Sequence, residues 1–163
     1  MTTNLLKRIE SSIYAFRLTA QHIYDLIDST IENINKYEQG RGAIFDIDQI
    51  DSSDLDADDA DTEFVGKKFK VSLGDMDFVS WREKLEFDRT TLDDLLMLIA
   101  VVNPEHDLKL KRLHKVLKDK IANPINGSNK KVLIFTAYAD TANYLYEQLA
   151  QPFLKEYGVN SAI

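Results

Sequence analysis

The sequence contains no cysteine, which excludes disulfide bonds, thiolate zinc sites and cysteine nucleophiles. It has only three histidines, His22, His106 and His114, which leaves little for an imidazole metal site. No apolar run approaches the ~18 residues that a membrane span needs. Residues 1–10 lack the apolar stretch and the small-residue cleavage site of a signal peptide. These absences, with 44% apolar residues, predict a soluble protein of a reducing compartment, most simply the cytoplasm.

The chain has fewer basic residues than acidic ones. Twenty basic and twenty-seven acidic side chains give the 163 residues a net charge of −7. A uniformly basic nucleic-acid binder is therefore excluded, although a local basic face is not.

Two long amphipathic helices are predicted from apolar residues that recur every three or four positions. The first covers residues 4–37 and would be roughly 50 Å long at 1.5 Å per residue. The second covers roughly 76–103, with Asp75 as its cap and Asn103-Pro104 as its end. The apolar stripe of the second helix contains Trp81, Leu85, Leu92, Leu95, Ile99 and Val102. We expect the two to form a projecting antiparallel hairpin, with Trp81 in its core.

The segment between these helices, residues 43–63, is acidic. Nine carboxylates and no basic residue lie between Asp46 and Glu63, which favours a solvated loop, with a DNA-mimicking or partner-binding segment as the alternative. A calcium loop is disfavoured, because Asp59 occupies its glycine position and Val65 its final glutamate position. Residues 68–73 alternate like a short strand.

The C-terminal part has a different pattern. A third helix is predicted over 104–121, with a lysine-rich outer surface. Lys131-Val-Leu-Ile-Phe-Thr136 is typical of a buried parallel strand. A helix capped by Asp140 follows, and 159–163 is predicted to begin a second strand. The predicted fold is thus mostly α: a long antiparallel helical hairpin (domain 1–103), then the opening strand–helix–strand of an α/β lobe (domain 104–163). A sheet begun but not completed indicates a piece of a larger protein.

The run from Lys130 to Leu149, KKVLIFTAYADTANYLYEQL, resembles motif IV of superfamily 2 helicases, which opens their second RecA-like lobe. The resemblance is strongest to bacterial Swi/Snf-type members. Residues 107–117 are similar to the helix that leads into that lobe, and residues 5–16 to a segment that follows the first lobe. Many relatives have glutamine where this chain has Ala137, so a polar contact made by that amide would be missing here.

This resemblance implies a parent protein that is an ATP-driven motor on DNA, with ATP and Mg²⁺ as its cofactors. Its implied partners are DNA and the remaining motor lobes of the same chain. The chain itself lacks a phosphate-binding loop, because Gly66-Lys67-Lys68 has neither the earlier glycine nor the hydroxyl that the motif requires. We therefore predict no catalytic residue, no metal ligand and no bound cofactor in this fragment.

Five residues are candidates for contact with DNA phosphates. Lys111, Lys115 and Lys118 share one flank of the third helix, where several phosphates lie within reach. Thr136 and Tyr138 follow the predicted strand, at the crevice edge of a parallel sheet and before a helix N-terminus. The alternative for the lysines is an ordinary solvated helix face, and the alternative for Thr136 and Tyr138 is local capping and packing.

A different class of function stays open. A non-enzymatic helical adaptor, with its hairpin binding another protein, would give the same apolar stripes. An exposed helical stripe would also allow self-association of the chain.

Overall fold

The described part of the chain is helical. The computed structural model describes residues 2–40, 73, 76–125 and 127–163. Their helices, in chain order, are α1 (Thr2–Ser11), α2 (Ile13–Glu38), α3 (Phe78–Ala100), α4 (Leu108–Ala122) and α5 (Ala139–Tyr157). Two compact units are formed, one by Arg17–Leu98 and one by Thr2–Phe16 together with Ile99–Ile163. The acidic segment 43–63, the strand expected at 68–73 and the cap expected at Asp75 lie outside the described residues.

The long N-terminal helix is interrupted once, at Ser12. The Ser12 side-chain oxygen accepts a hydrogen bond from the Ala15 amide at 3.0 Å, as a helix-capping serine does. The backbone bonds continue through the interruption, since the Ser12 amide donates to the Arg8 carbonyl and the Phe16 amide to the Ser12 carbonyl. The predicted single helix over 4–37 is therefore two helices that meet with their helical hydrogen bonding nearly intact.

In the first unit, α2 and α3 pack around a small apolar core. Ile34 is fully buried beside Leu73, and four partly buried side chains pack against them: Tyr37, Phe78, Trp81 and Leu85. The rings of Tyr37 and Phe78 meet edge to face with their centroids 5.5 Å apart. Trp81 thus contributes to the core, as its helical spacing predicts.

Two ion pairs show the relative direction of these two helices. Arg82 pairs with Glu38, and Arg89 pairs with Asp28 at 2.7 Å. The later residue of α3 contacts the earlier residue of α2, so the helices are antiparallel. The start of α3 is capped by Asp77, whose carboxylate accepts from the Ser80 amide at 3.2 Å. The hydrogen bond from the Ser80 side chain, and then that from its amide, lower the pKa of Asp77.

The second unit is built on α4 and α5. Its buried core consists of Leu110, Leu117, Ile121, Tyr144, Leu149 and Phe153. Helix α5 ends at Gly158, which adopts the left-handed conformation at φ 65° that glycine tolerates best. The Gly158 and Val159 amides then donate to the Leu154 and Phe153 carbonyls, which satisfies the last turn of the helix.

The predicted strand–helix–strand is wrong, because the described residues contain no β-strand. Lys131–Thr136 has no regular secondary structure, and Leu133 and Phe135 are 83% and 89% exposed. A strand is held by hydrogen bonds to a neighbouring strand, and no described segment forms a ladder with this one. Residues 159–163, the expected second strand, are also irregular. Both segments instead line, with α4 and α5, a cavity of about 750 Å³.

Candidate nucleic-acid interface

An ion pair lies at the start of α5. The Arg8 guanidinium donates to the Asp140 carboxylate at 3.0 Å, and its central carbon lies 4.7 Å from the centre of the Tyr138 ring. Arg8 is buried whereas Asp140 is partly exposed, so the contact is a charge-assisted bond in a shielded position. The prediction that Asp140 caps α5 is wrong. The cap position is Tyr138, which makes no side-chain capping bond, and Asp140 points its carboxylate to Arg8.

A cluster of three hydroxyl groups lies beside this ion pair. The Thr141 hydroxyl is 2.9 Å from that of Ser11 and 3.1 Å from that of Ser12. Ser12 and Thr141 are both buried. Because Ser12 also caps the first turn of α2, this cluster joins the α1–α2 interruption to the first turn of α5.

The Asp107 carboxylate accepts two further hydrogen bonds in this region. One carboxylate oxygen accepts from the Leu110 amide at 3.0 Å, which caps α4, and the other accepts from the Tyr144 hydroxyl at 3.0 Å. The Tyr144 ring stacks on Tyr14 with centroids 4.8 Å apart. Asp107 is itself buried, so its negative charge is stabilised by these two donors rather than by bulk water.

The hydroxyl cluster, Asp107 and Tyr144 line an open cavity of about 540 Å³. Its lining contains apolar side chains, hydroxyl groups and two lysines, Lys7 and Lys109. The Lys109 ammonium donates to the carbonyl of Glu10, at the end of α1. The polar and aromatic residues of the lining are Lys7, Glu10, Ser11, Ser12, Asp107, Lys109, Phe135, Thr136, Tyr138, Thr141 and Tyr144.

Two of the predicted phosphate-contact residues lie in this cavity. Thr136 is half-buried, and its hydroxyl donates to the carbonyl of Tyr138 at 2.9 Å. Tyr138 is buried, with Arg8 over its ring. The two residues therefore hold the turn that leads into α5, and their side chains are already engaged in local contacts.

The three predicted lysines differ from one another. Lys111 and Lys115 are exposed on α4. Lys118 instead pairs with Glu156 of α5 at 3.2 Å, while the Tyr157 hydroxyl donates to the same carboxylate at 2.5 Å. Hydrogen bonding to Tyr157 and to Glu156 raises the pKa of Lys118. Hydrogen bonds from Tyr157 and then Lys118 lower the pKa of Glu156.

Sequence reasoning missed the residues that organise the cavity, namely Arg8, Ser11, Ser12, Asp107, Thr141 and Tyr144. Among these residues, only Asp107 could have been recognised from the sequence. It is an aspartate, a favoured N-cap residue, and it directly precedes a segment whose apolar residues recur with helical spacing. Arg8 and Asp140 are 132 positions apart, and nothing in their local sequence marks them as partners.

Among the residues that the structure describes, no group of three acidic, histidine or cysteine side chains is placed to hold a metal ion. Nor does any helix in those ranges combine the length and apolar character needed to cross a bilayer. No protein-family model matches this chain, and no curated protein or solved structure is significantly similar to it.

Proposed function

We propose that this chain is a non-catalytic part of a cytoplasmic, ATP-dependent DNA helicase or translocase related to the Swi/Snf-type enzymes. In this proposal it supplies helices that lie between the two motor lobes and a DNA-facing part of the second lobe. The observation that carries the proposal is the run Lys130–Leu149, which resembles motif IV of superfamily 2 helicases.

The geometry around this run is compatible with binding the sugar–phosphate backbone. Thr136 and Tyr138 line the same cavity as Lys7 and Lys109, together with the carboxylates of Glu10 and Asp107. The Thr136 hydroxyl and the Lys109 ammonium already donate to carbonyls, so a phosphate would have to share or replace these bonds. Lys111 and Lys115 add exposed positive charge on α4. Ammonium and hydroxyl groups of this kind bind phosphate oxygens and carry no base specificity. We therefore propose contact with DNA that is independent of base sequence.

ATP and Mg²⁺ are assigned to other parts of the parent protein. The sequence has no glycine-rich loop followed by lysine and a hydroxyl residue, so no backbone cradle exists here for the phosphates of ATP. The residues of this chain thus do not fit the nucleotide, and its proposed contribution is to DNA contact and to the connection between lobes.

The test uses the full-length protein that contains this chain. Lys111 and Lys115 are both changed to Glu, and affinity for duplex DNA is measured across a salt series. If both lysines bind phosphates, the slope of log affinity against log salt becomes shallower by about 1.8, at about 0.9 for each phosphate that is no longer neutralised. Changing Lys84 and Lys155, two exposed lysines elsewhere, to Glu is the matched control.

Lys118 is tested separately as Lys118→Gln, because its reversal to Glu would also place two carboxylates together at Glu156. If the Lys111/Lys115 variant keeps the same affinity and salt slope as the control, these lysines form only a solvated face. The proposed DNA contact through α4 would then be wrong.

A second candidate, the helical adaptor for protein binding, is favoured by one observation. Helix α3 has no buried residue, although it carries large apolar side chains such as Phe87 and Leu98. DNA-stimulated ATP hydrolysis by the full-length protein would favour the motor, and its absence there would favour the adaptor.

A further inference from the structure

The outer side of α3 carries exposed apolar side chains among polar ones. Phe87 and Leu98 lie about three helical turns apart on one side, and each is 72% exposed. Phe87 follows Leu85 by two positions, which at about 100° per residue places it on the side opposite the core contact of Leu85. Single exposed apolar residues are ordinary, whereas an exposed row of them marks an interaction surface.

This outer side also carries negative charge. Asp94 lies two turns after Phe87 and one turn before Leu98, so it belongs to the same row. Glu83, one turn before Phe87, extends the row, and both carboxylates are exposed. We call this set the acidic face of α3: Glu83, Phe87, Asp94 and Leu98.

Helix α4 presents the complementary surface. Leu108 and Val116 are 77% and 48% exposed, and Arg112 lies one turn from each of them. Lys109 and Lys115 flank this row, and Arg112 and Lys115 are exposed to solvent. We call Leu108, Arg112, Lys115 and Val116 the basic face of α4.

We propose that the chain binds a second copy of itself, with the acidic face of α3 in one copy packed on the basic face of α4 in the other. Each face combines two apolar side chains with an excess of charge of one sign. Lys84 lies beside the acidic face of α3, and Asp119 lies beside Arg112 and Lys115 on α4. Contact between two acidic faces or two basic faces would place like charges together, which disfavours both alternatives. The combination of unlike faces buries apolar surface and pairs Asp94 with Arg112.

Each copy offers one face of each kind. Two unlike faces associate either as a reciprocal pair or as a head-to-tail chain. Both forms show a mass above that of the monomer that increases with protein concentration. Since the pairing uses exposed charges, it weakens as the ionic strength rises.

The experiment measures the mass of the 163-residue chain by sedimentation over a range of concentrations, at low and high salt. The variants are Asp94→Arg, Arg112→Glu and the double variant that carries both. Each single variant brings like charges together, and we expect association to weaken by about tenfold or more, equivalent to about 1.4 kcal/mol. The double variant again pairs opposite charges, now with the positive charge on α3 and the negative charge on α4. We therefore expect association to return.

Matched controls are Glu147→Arg and Lys155→Glu, which make the same charge changes at exposed positions of α5. They should leave association unchanged, and circular dichroism verifies that all variants keep their helices. A wild-type chain that stays monomeric at every concentration would overturn the proposal. So would a double variant that associates no better than the single variants, or loss of association with only one of the two single variants, which would mean that the two faces do not bind each other. None of these outcomes depends on the motor function proposed above.

Discussion

Asp107 is a buried carboxylate that makes two hydrogen bonds in the second unit. It caps α4 through the Leu110 amide and accepts the Tyr144 hydroxyl, both at 3.0 Å. Asp107→Ala removes a helix cap, worth about 0.5–2 kcal/mol, and removes the hydrogen bond from the buried Tyr144 hydroxyl to Asp107, at about 1–3 kcal/mol. We expect the free energy of unfolding to fall by about 1.5–5 kcal/mol in urea titrations.

Two further variants separate these effects. Tyr144→Phe removes only the hydroxyl and should cost about 1 kcal/mol, whereas Asp107→Asn retains an oxygen that can cap α4. If Asp107→Ala is no more harmful than Tyr144→Phe, the cap contributes nothing and this account of Asp107 is wrong.

The Lys118–Glu156–Tyr157 contact predicts a dependence on pH. Because hydrogen bonds from Tyr157 and Lys118 lower the pKa of Glu156, its stabilising effect is present above the ordinary value of 4.5 and is lost as pH falls through the lowered value. The pKa of Lys118 is raised above 10.5, so its share is present below that value and is lost in strong alkali. The side chains are 40% and 51% exposed, which keeps the effect small.

The measurement compares wild type with Glu156→Gln. We expect the wild type to have the higher urea midpoint at neutral pH and the difference to vanish well below pH 4.5. Glu147→Gln, at an exposed position of the same helix, serves as the control. A difference between wild type and Glu156→Gln that persists in acid would assign the effect to packing of the side chain instead of its charge.

At the scale of elements, the pairing of α2 with α3 depends on Ile34, which has no exposed surface. Ile34→Ala leaves a cavity at the centre of the first unit and should lower the free energy of unfolding by about 2–5 kcal/mol. Ile34→Val removes a single methylene, and the expected loss is about 0.5–1.5 kcal/mol. Equal effects of the two substitutions would show that the core around Leu73 does not hold the helices together.

Helical periodicity predicted these elements because it records which side of a helix is apolar. The spacing of Trp81 and Leu85 was enough to place both on the inner side of α3, where they pack. The interruption at Ser12 was not predictable in the same way, since serine occurs within many helices. Its capping role follows from the bond that its side chain makes to Ala15.

The strand prediction failed for a related reason. An apolar, β-branched run such as Val132–Phe135 shows what these residues favour, but not whether another segment is available to pair with them. The candidate site was only partly predictable on the same grounds. Thr136 and Tyr138 were identified from their position before a helix, whereas Arg8 comes from a distant part of the sequence.

At the scale of the whole molecule, acidic and basic residues are concentrated in different segments, which the net charge of −7 does not show. Carboxylates are concentrated in residues 46–63, whereas α4 contains six basic residues between Lys109 and Lys120. Long-range attraction to a polyanion is therefore opposed by the chain as a whole and favoured only locally. The net charge predicts the first effect, and the basic residues of α4, which were predicted from the sequence to share one helix, account for the second.

The last prediction concerns catalysis by the isolated 163-residue chain. It lacks the phosphate-binding loop whose amides and lysine hold the phosphates of a nucleotide, and we expect no ATP hydrolysis, with or without duplex DNA. Phosphate release is measured on the purified chain, and a preparation carrying Asp107→Ala, which should weaken the fold, reports contaminating activity. Turnover that is stimulated by DNA and lost with the fold would show that the chain holds a nucleotide site of another kind. The full-length protein, in contrast, should hydrolyse ATP faster when DNA is added if the proposed motor function is correct.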